Sequence, residues 1–218
     1  MNSQIKSKQR ARDYGEVYTP PEIVNAMLDL VKQETERIDS RFLEPACGTG
    51  NFLAEILRRK LDVVERIYRR SQLDFERYLA LAISSLYGID ILKDNVITCR
   101  QRLFEIADER YTKLFKSKAK DDGRRSVRYI IEKNIIRGDA LTLQTVGDSP
   151  GPIIFAEWSL VNGSQIKRRD FTFQELIGKS SLRELPLFSD AGEQVFIPTP
   201  VADYPPVHFL KVAEAYDN

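Results

Sequence analysis

Three short clusters in this 218-residue chain have the side chains and spacing to hold a small polar ligand. The first is Gly48-Thr49-Gly50, inside the stretch "FLEPACGTGNFL", where two glycines permit a tight turn and a close backbone approach to a ligand. The second is Asp90, which ends the apolar run "LYGID"; a carboxylate there can accept two hydrogen bonds from ribose hydroxyls. The third is Asp139 in "IIRGDAL", able to accept from an adenine amine. Each alone has a plainer reading, as a turn or as a helix cap. Three in order on successive strands describe a site for an adenosine-containing ligand. A dinucleotide fits less well, because Leu53 stands where the third glycine of a Gly-x-Gly-x-x-Gly fingerprint would be.

Such a site needs a parallel sheet, because in an open α/β fold ligands sit at the carboxyl ends of the strands. The pattern supplies one. Pro20, Pro21 and Glu22 after Thr19 read as a capped helix start, with Ile23, Met27, Leu30 and Val31 on a core-facing side. "RFLEPA" reads as a strand, "NFLAEILRRKLDVVERIYRR" as a helix, and Ser71 as the cap of another. "LYGID" is a second strand, residues 93–118 a long amphipathic helix, "NIIRGDAL" a third strand and "GPIIFAEWSLV" a fourth. Strands alternating with helices predict a mostly parallel sheet flanked by helices. Beyond residue 160 the alternation stops, and "QVFIPTP" and "ADYPPVHFL" suggest an antiparallel or irregular C-terminal extension. Residues 1–13 read as a basic arm, 14–160 as the main domain and 161–218 as its extension or a small cap.

Composition narrows the chemistry. Charged residues make up 30% of the chain but nearly cancel, to a formal net charge of +1, so any nucleic-acid contact must come from a local patch. Lys167-Arg168-Arg169, following the fourth strand, is the best candidate for phosphate contacts. Two cysteines and one histidine argue against a disulfide framework, a zinc site or a Ser-His triad. Cys47 reads as a small packed residue. The polar N-terminus and the lack of a long apolar run predict a cytoplasmic protein.

These motifs resemble the adenine-specific DNA methyltransferases of restriction–modification systems, the type I modification subunits and their single-chain relatives. "FLEPACGTGNFL" resembles the family's first S-adenosylmethionine-binding motif, and "GEVYTPPEIVNAMLDLV" the segment preceding it. "LYGIDIL" and "IIRGDAL" resemble the second and third motifs, in the family's order over residues 14–160. The resemblance implies a Rossmann-like S-adenosylmethionine-dependent methyltransferase fold. It places Tyr18, Thr19 and Pro20 on the methionine side, and Glu44, Ala46, Gly48, Gly50, Asn51 and Phe52 around the cofactor. Asp90 would take the ribose, Ile91 would pack beside the adenine, and Asp139 with Ala140 would bracket its amine. DNA is the implied substrate, and a specificity or catalytic partner subunit is an implied companion.

One part of the family pattern is missing. An Asn/Asp/Ser-Pro-Pro-aromatic motif should follow the fourth strand, and here that place reads "PIIFAEWSLVNGSQ". Glu157 is the candidate amine acceptor and Trp158 the candidate stacking surface for an extruded base; the plainer reading makes them a surface and a core residue. Three functions stay open: a divergent adenine methyltransferase, alone or completed by a partner; a non-catalytic cofactor-binding relative with a regulatory or structural part; and methyl transfer to RNA or protein, against which the "GEVYTPPEIV" segment argues.

Overall fold

The computed structural model describes Gln9, residues 19–181 and residues 198–216. Apart from Gln9, the expected basic arm lies outside the described residues, as does Tyr18. The chain is α/β. Helices α1 (Pro21–Asp29) and α2 (Lys32–Thr35) lead into strand β1 (Phe42–Glu44). Helices α3 (Asn51–Tyr68) and α4 (Gln72–Ser84) cross to β2 (Leu86–Asp90); α5 (Lys93–Phe115) and α6 (Asp121–Asn134) cross to β3 (Ile135–Asp139). The three strands are parallel, with Phe42 beside Leu86 and Gly88 beside Ile135. A two-residue β4 (Gln144–Thr145) returns antiparallel to β3.

Alternation along β2 sets the layers, since successive side chains point to opposite faces of a sheet. Leu86 joins a large core with α3, α4, α5 and α6. Tyr87 and Ile89 point the other way, into a smaller core with Ile153, Phe155 and Phe173. Gly88 faces the helices, and a Cβ there would stand 2.9 Å from the Leu53 side chain and 3.1 Å from Cys47 Sγ. Only a glycine lets α3 and the loop before it sit this close to β2.

The C-terminal third departs from the expected sheet. The anticipated fourth strand exists as β5 (Ile154–Leu160), but it pairs antiparallel with β6 (Gln165–Thr172) and not with the parallel strands. Helix α7 (Phe173–Ser181) follows, and the short strands β7 (Ala202–Asp203) and β8 (Val207–His208) also pair with β6. A final short helix, α8 (Val212–Tyr216), packs on the helical core. The β5–β6–α7 unit therefore covers the face of the parallel sheet where flanking helices were expected. The antiparallel unit begins ahead of residue 160, because β5 belongs to it.

Two local expectations also change. The N-cap of α1 is Pro20, whose C=O accepts from Ile23 and Val24 N–H at 3.0 Å, and no side chain caps this helix. Its buried residues are Val24 and Leu28, whereas Ile23, Met27, Leu30 and Val31 are exposed at 51%, 51%, 86% and 46%. At 100° per residue these two sets form adjacent halves of one apolar arc. Only one half is covered. The Ser71 cap is as expected, its hydroxyl accepting from Asp74 N–H. Among the described residues no helix is long and apolar enough to cross a membrane.

Candidate cofactor site

The carboxyl ends of β1, β2 and β3 carry Glu44, Asp90 and Asp139 on one edge of the sheet. The parallel register brings them together although 95 residues separate the first from the last in sequence, from 44 to 139. The glycine loop turns above β1. Gly48 and Gly50 have φ of +52° and +83°, left-handed values that cost an L-residue about 1–2 kcal/mol. Gly50 caps α3, and a Cβ on it would meet Cys99 Sγ at 2.7 Å.

Asp90 is the hub of this loop. One carboxylate oxygen accepts from Gly48 N–H at 2.9 Å; the other accepts from Leu92 N–H at 2.8 Å and from the Asn95 amide at 3.3 Å. Asn51, at the first turn of α3, donates to the Thr19 carbonyl at 3.0 Å and accepts from Arg102 at 2.6 Å. Arg102 also donates to the Thr49 carbonyl. The segment around Thr19 is thus tied to the glycine loop. Pro20 follows as the cap of α1, and Phe52 packs against the helical core.

Glu44 carries the clearest electrostatic signal. Among the described residues, its carboxylate accepts one hydrogen bond, from Ala46 N–H at 3.3 Å. Burial holds its pKa above the ordinary carboxylate value, against the smaller opposing effect of that bond. A half-buried acid with no cation beside it among the described residues suits a positively charged ligand group. Cys47 behaves oppositely: its hydrogen bond with Cys99 and its burial push the thiol well above the usual range, so it is an inert packing residue.

At β3, Asp139 accepts from Leu141 N–H at 2.8 Å in a local turn, and Ala140 packs against the smaller core. Ile91 is 38% exposed and Leu141 94% exposed, so two apolar side chains flank the acidic positions. Sequence reasoning missed Leu141, Asn95 and Arg102. Leu141 directly follows the expected Ala140 and was within reach; nothing local marks Asn95 or Arg102.

The two expected catalytic residues stand elsewhere. Trp158 is 4% exposed, and its indole N–H donates to Asn134 at 3.2 Å. Asn134 immediately precedes β3, while Asp139 ends it; five residues of strand put the two ends about 15 Å apart. Glu157 receives Arg41 at 2.6 Å and Arg169 at 2.7 Å, again beside the start of β1. Neither residue is brought to the glycine loop, because the chain enters β5 beside Gly138 of β3 and runs across the sheet face towards the start of β1. Glu157 is partly buried in an ion-pair cluster, and Trp158 belongs to the core.

The expected phosphate patch is likewise engaged within the fold. Arg168 is buried against Asp170, with its Nη2 2.6 Å from the carboxylate, and donates to Tyr129 Oη at 2.7 Å. Lys167 pairs with Asp203, and Arg169 with Glu157. A strand points alternate side chains to opposite faces, so these three adjacent cations never formed one patch.

Residues 4–76 match the N-6 DNA Methylase family. Over 72 residues, 32% of this chain, the sequence is 38% identical to a protein of Methanocaldococcus jannaschii named "Putative type II restriction enzyme and methyltransferase". The aligned part spans 6% of that protein's length. Among solved structures, none matches. The family match includes Glu44 and the glycine loop and ends before Asp90 and Asp139.

Proposed function

We propose, from the premise that residues 4–76 are N-6 DNA methylase sequence, that this chain is the S-adenosylmethionine-binding part of a DNA adenine methyltransferase of a restriction–modification system. The observation that carries this reading is the convergence of Glu44, the Gly48–Gly50 loop, Asp90 and Asp139 at one sheet edge. The residues present suit the cofactor. Glu44 would face the cationic methionine end, and the backbone from Ala46 to Gly50 would lie along it. Asp90, already holding the loop, would offer its remaining acceptor capacity to the ribose; Ile91 and Leu141 would flank the adenine ring, and Asp139 would accept from its amine. When bound, S-adenosylmethionine would supply an electrophilic methyl group.

The acceptor side is proposed to come from elsewhere. Glu157 and Trp158 are engaged in the fold, so the groups that hold the target adenine would belong to a partner subunit or to further polypeptide. That engagement also favours a second reading, in which the chain binds the cofactor without catalysing transfer. Calorimetry with S-adenosylmethionine tests the shared premise, and binding by the well-folded chain is the expected result. Transfer of a labelled methyl group to adenine in DNA, with neighbouring subunits present, then separates the readings. Absence of binding would remove both.

A further inference from the structure

Two residues of α3 hold α1, one along its body and one ahead of its start. The body is fixed by burial of Val24 and Leu28 and by Arg59, which reaches Asp29 at 2.8 Å and the Asn25 side chain at 3.0 Å. The start has a different anchor. The Thr19 carbonyl, one residue ahead of the Pro20 cap, accepts from the Asn51 amide at 3.0 Å. Asn51 in turn accepts from Arg102 of α5 at 2.6 Å. Because Asn51 directly follows Gly50, this bond places Thr19 and Pro20 against the glycine loop.

Chemistry fixes the direction of this chain of bonds. A guanidinium has only donors, so the end of the Asn51 side chain that faces Arg102 must be its oxygen. The opposite end is then the NH2 group, and a carbonyl is the partner it needs. Bonds to a charged group are the stronger kind, so Arg102 is the fixed point and Asn51 the transmitter. Arg102 also donates to the Thr49 carbonyl at 3.4 Å, inside the glycine loop itself. It is a costly residue to use for support alone. Its partners are neutral oxygens, and among the described residues no carboxylate pairs with it. Its neighbour is a like charge, Arg58, about two turns beyond Asn51 on α3. Burial first, and Arg58 second, lower the pKa of Arg102. An apolar side chain would fill the same place without that desolvation and repulsion. A local choice made against stability marks a place where position matters more.

We propose that Arg102 is a positioning residue for the cofactor site: acting through Asn51, it holds Thr19 and Pro20 against the Gly48–Gly50 loop as a wall for the methionine end of the ligand. Asn51 is then a transmitter between α5 and the segment ahead of α1, with both ends of its amide engaged. The body of α1 has its own anchors in Val24, Leu28 and Arg59, so the fold does not depend on this chain of bonds. The inference rests on the functional reading above, because the wall matters only when the glycine loop holds a ligand.

Asn51→Asp separates positioning from support. The new carboxylate gives Arg102 its missing counter-charge, so the melting temperature of the unliganded protein should not fall. Its other oxygen faces the Thr19 carbonyl, acceptor against acceptor, and Thr19 is released. The Ile23 and Val24 amides, which donate to the Pro20 carbonyl, should then exchange about tenfold faster in the unliganded protein. Arg102→Leu should speed the same two amides by about the same factor. Calorimetry should show S-adenosylmethionine binding about tenfold weaker in both variants. A residue of merely structural use would instead lower melt and affinity together in Asn51→Asp, and that result overturns the inference. Unchanged exchange of the two amides in either variant also overturns it. A wild type that binds no S-adenosylmethionine overturns the functional reading and this inference with it. A wild type that binds, with variants that bind equally well, overturns this inference alone.

Discussion

The carboxylate of Asp90 holds the backbone N–H of Gly48 at 2.9 Å, across 42 residues of sequence. This bond ties the end of β2 to the loop above β1, and it makes the loop's shape a property of the sheet. Hydrogen bonds to a charged acceptor contribute about 1.5–3 kcal/mol.

Asp90→Ala should therefore weaken S-adenosylmethionine binding by about 30-fold, and speed exchange of the Gly48 amide in the unliganded protein. Calorimetry and amide exchange read the two effects. Weak binding with an unchanged Gly48 amide would mean that Asp90 acts on the ligand alone.

Gly50→Ala should destabilise the fold by about 2–4 kcal/mol, from left-handed backbone and from crowding against Cys99 Sγ. Urea unfolding in a Cys99→Ala background should recover the crowding part, about 1 kcal/mol or more, and leave the backbone part. Additive costs would show that the two residues do not touch.

Glu44 predicts a pH dependence. Burial holds its folded pKa above the ordinary 4.5, so between 4.5 and the folded value the native state binds more protons than the unfolded chain. Stability contributed by this group falls as pH rises through that window. A cationic ligand favours the ionised form, so its affinity should rise with pH over the same window and binding should release a proton. Calorimetry in two buffers of different ionisation heat detects the release, and Glu44→Gln should abolish it.

Lys60 predicts a second dependence, in stability. Its ammonium is fully buried and donates to the Ile38 carbonyl at 2.9 Å, the Ser40 carbonyl at 2.5 Å and Ser85 Oγ at 2.8 Å. Burial is the main cause that lowers its pKa from 10.5 to about 7. Between those values the unfolded chain binds the extra proton, so stability should rise with pH from about 7 towards 10.5. Thermal melts should show that slope in the wild type and lose it in Lys60→Met.

Trp158→Ala should cost about 3–5 kcal/mol of stability, as expected for a large buried aromatic side chain. Glu157→Gln and Trp158→Phe should leave S-adenosylmethionine affinity unchanged in folded protein. A loss of affinity without a loss of stability would place both residues at the cofactor site.

The Glu44, Gly48–Gly50, Asp90 and Asp139 positions were legible in the sequence because each depends on a local signal: an apolar run, a glycine pair, a strand-terminal acid. Parallel pairing then brings strand ends together in order, so order along the chain became proximity in space. The surroundings of Glu157, Trp158 and Lys167–Arg169 were not legible, because a strand-like stretch does not say which sheet it joins. Packing of the β5–β6 hairpin across the sheet face carried Glu157 and Trp158 towards the start of β1 and β3. The α1 helix was recognisable from its period, but a period marks an apolar arc and not which half of it is covered. Packing on α3 buried Val24 and Leu28 and left Ile23, Met27 and Leu30 outward. The sequence by itself determined that Glu44, the glycine loop, Asp90 and Asp139 stand at strand ends, through short-range spacing. Only the tertiary structure decided where β5 lies, because a strand's partner is chosen by packing between segments distant in the chain.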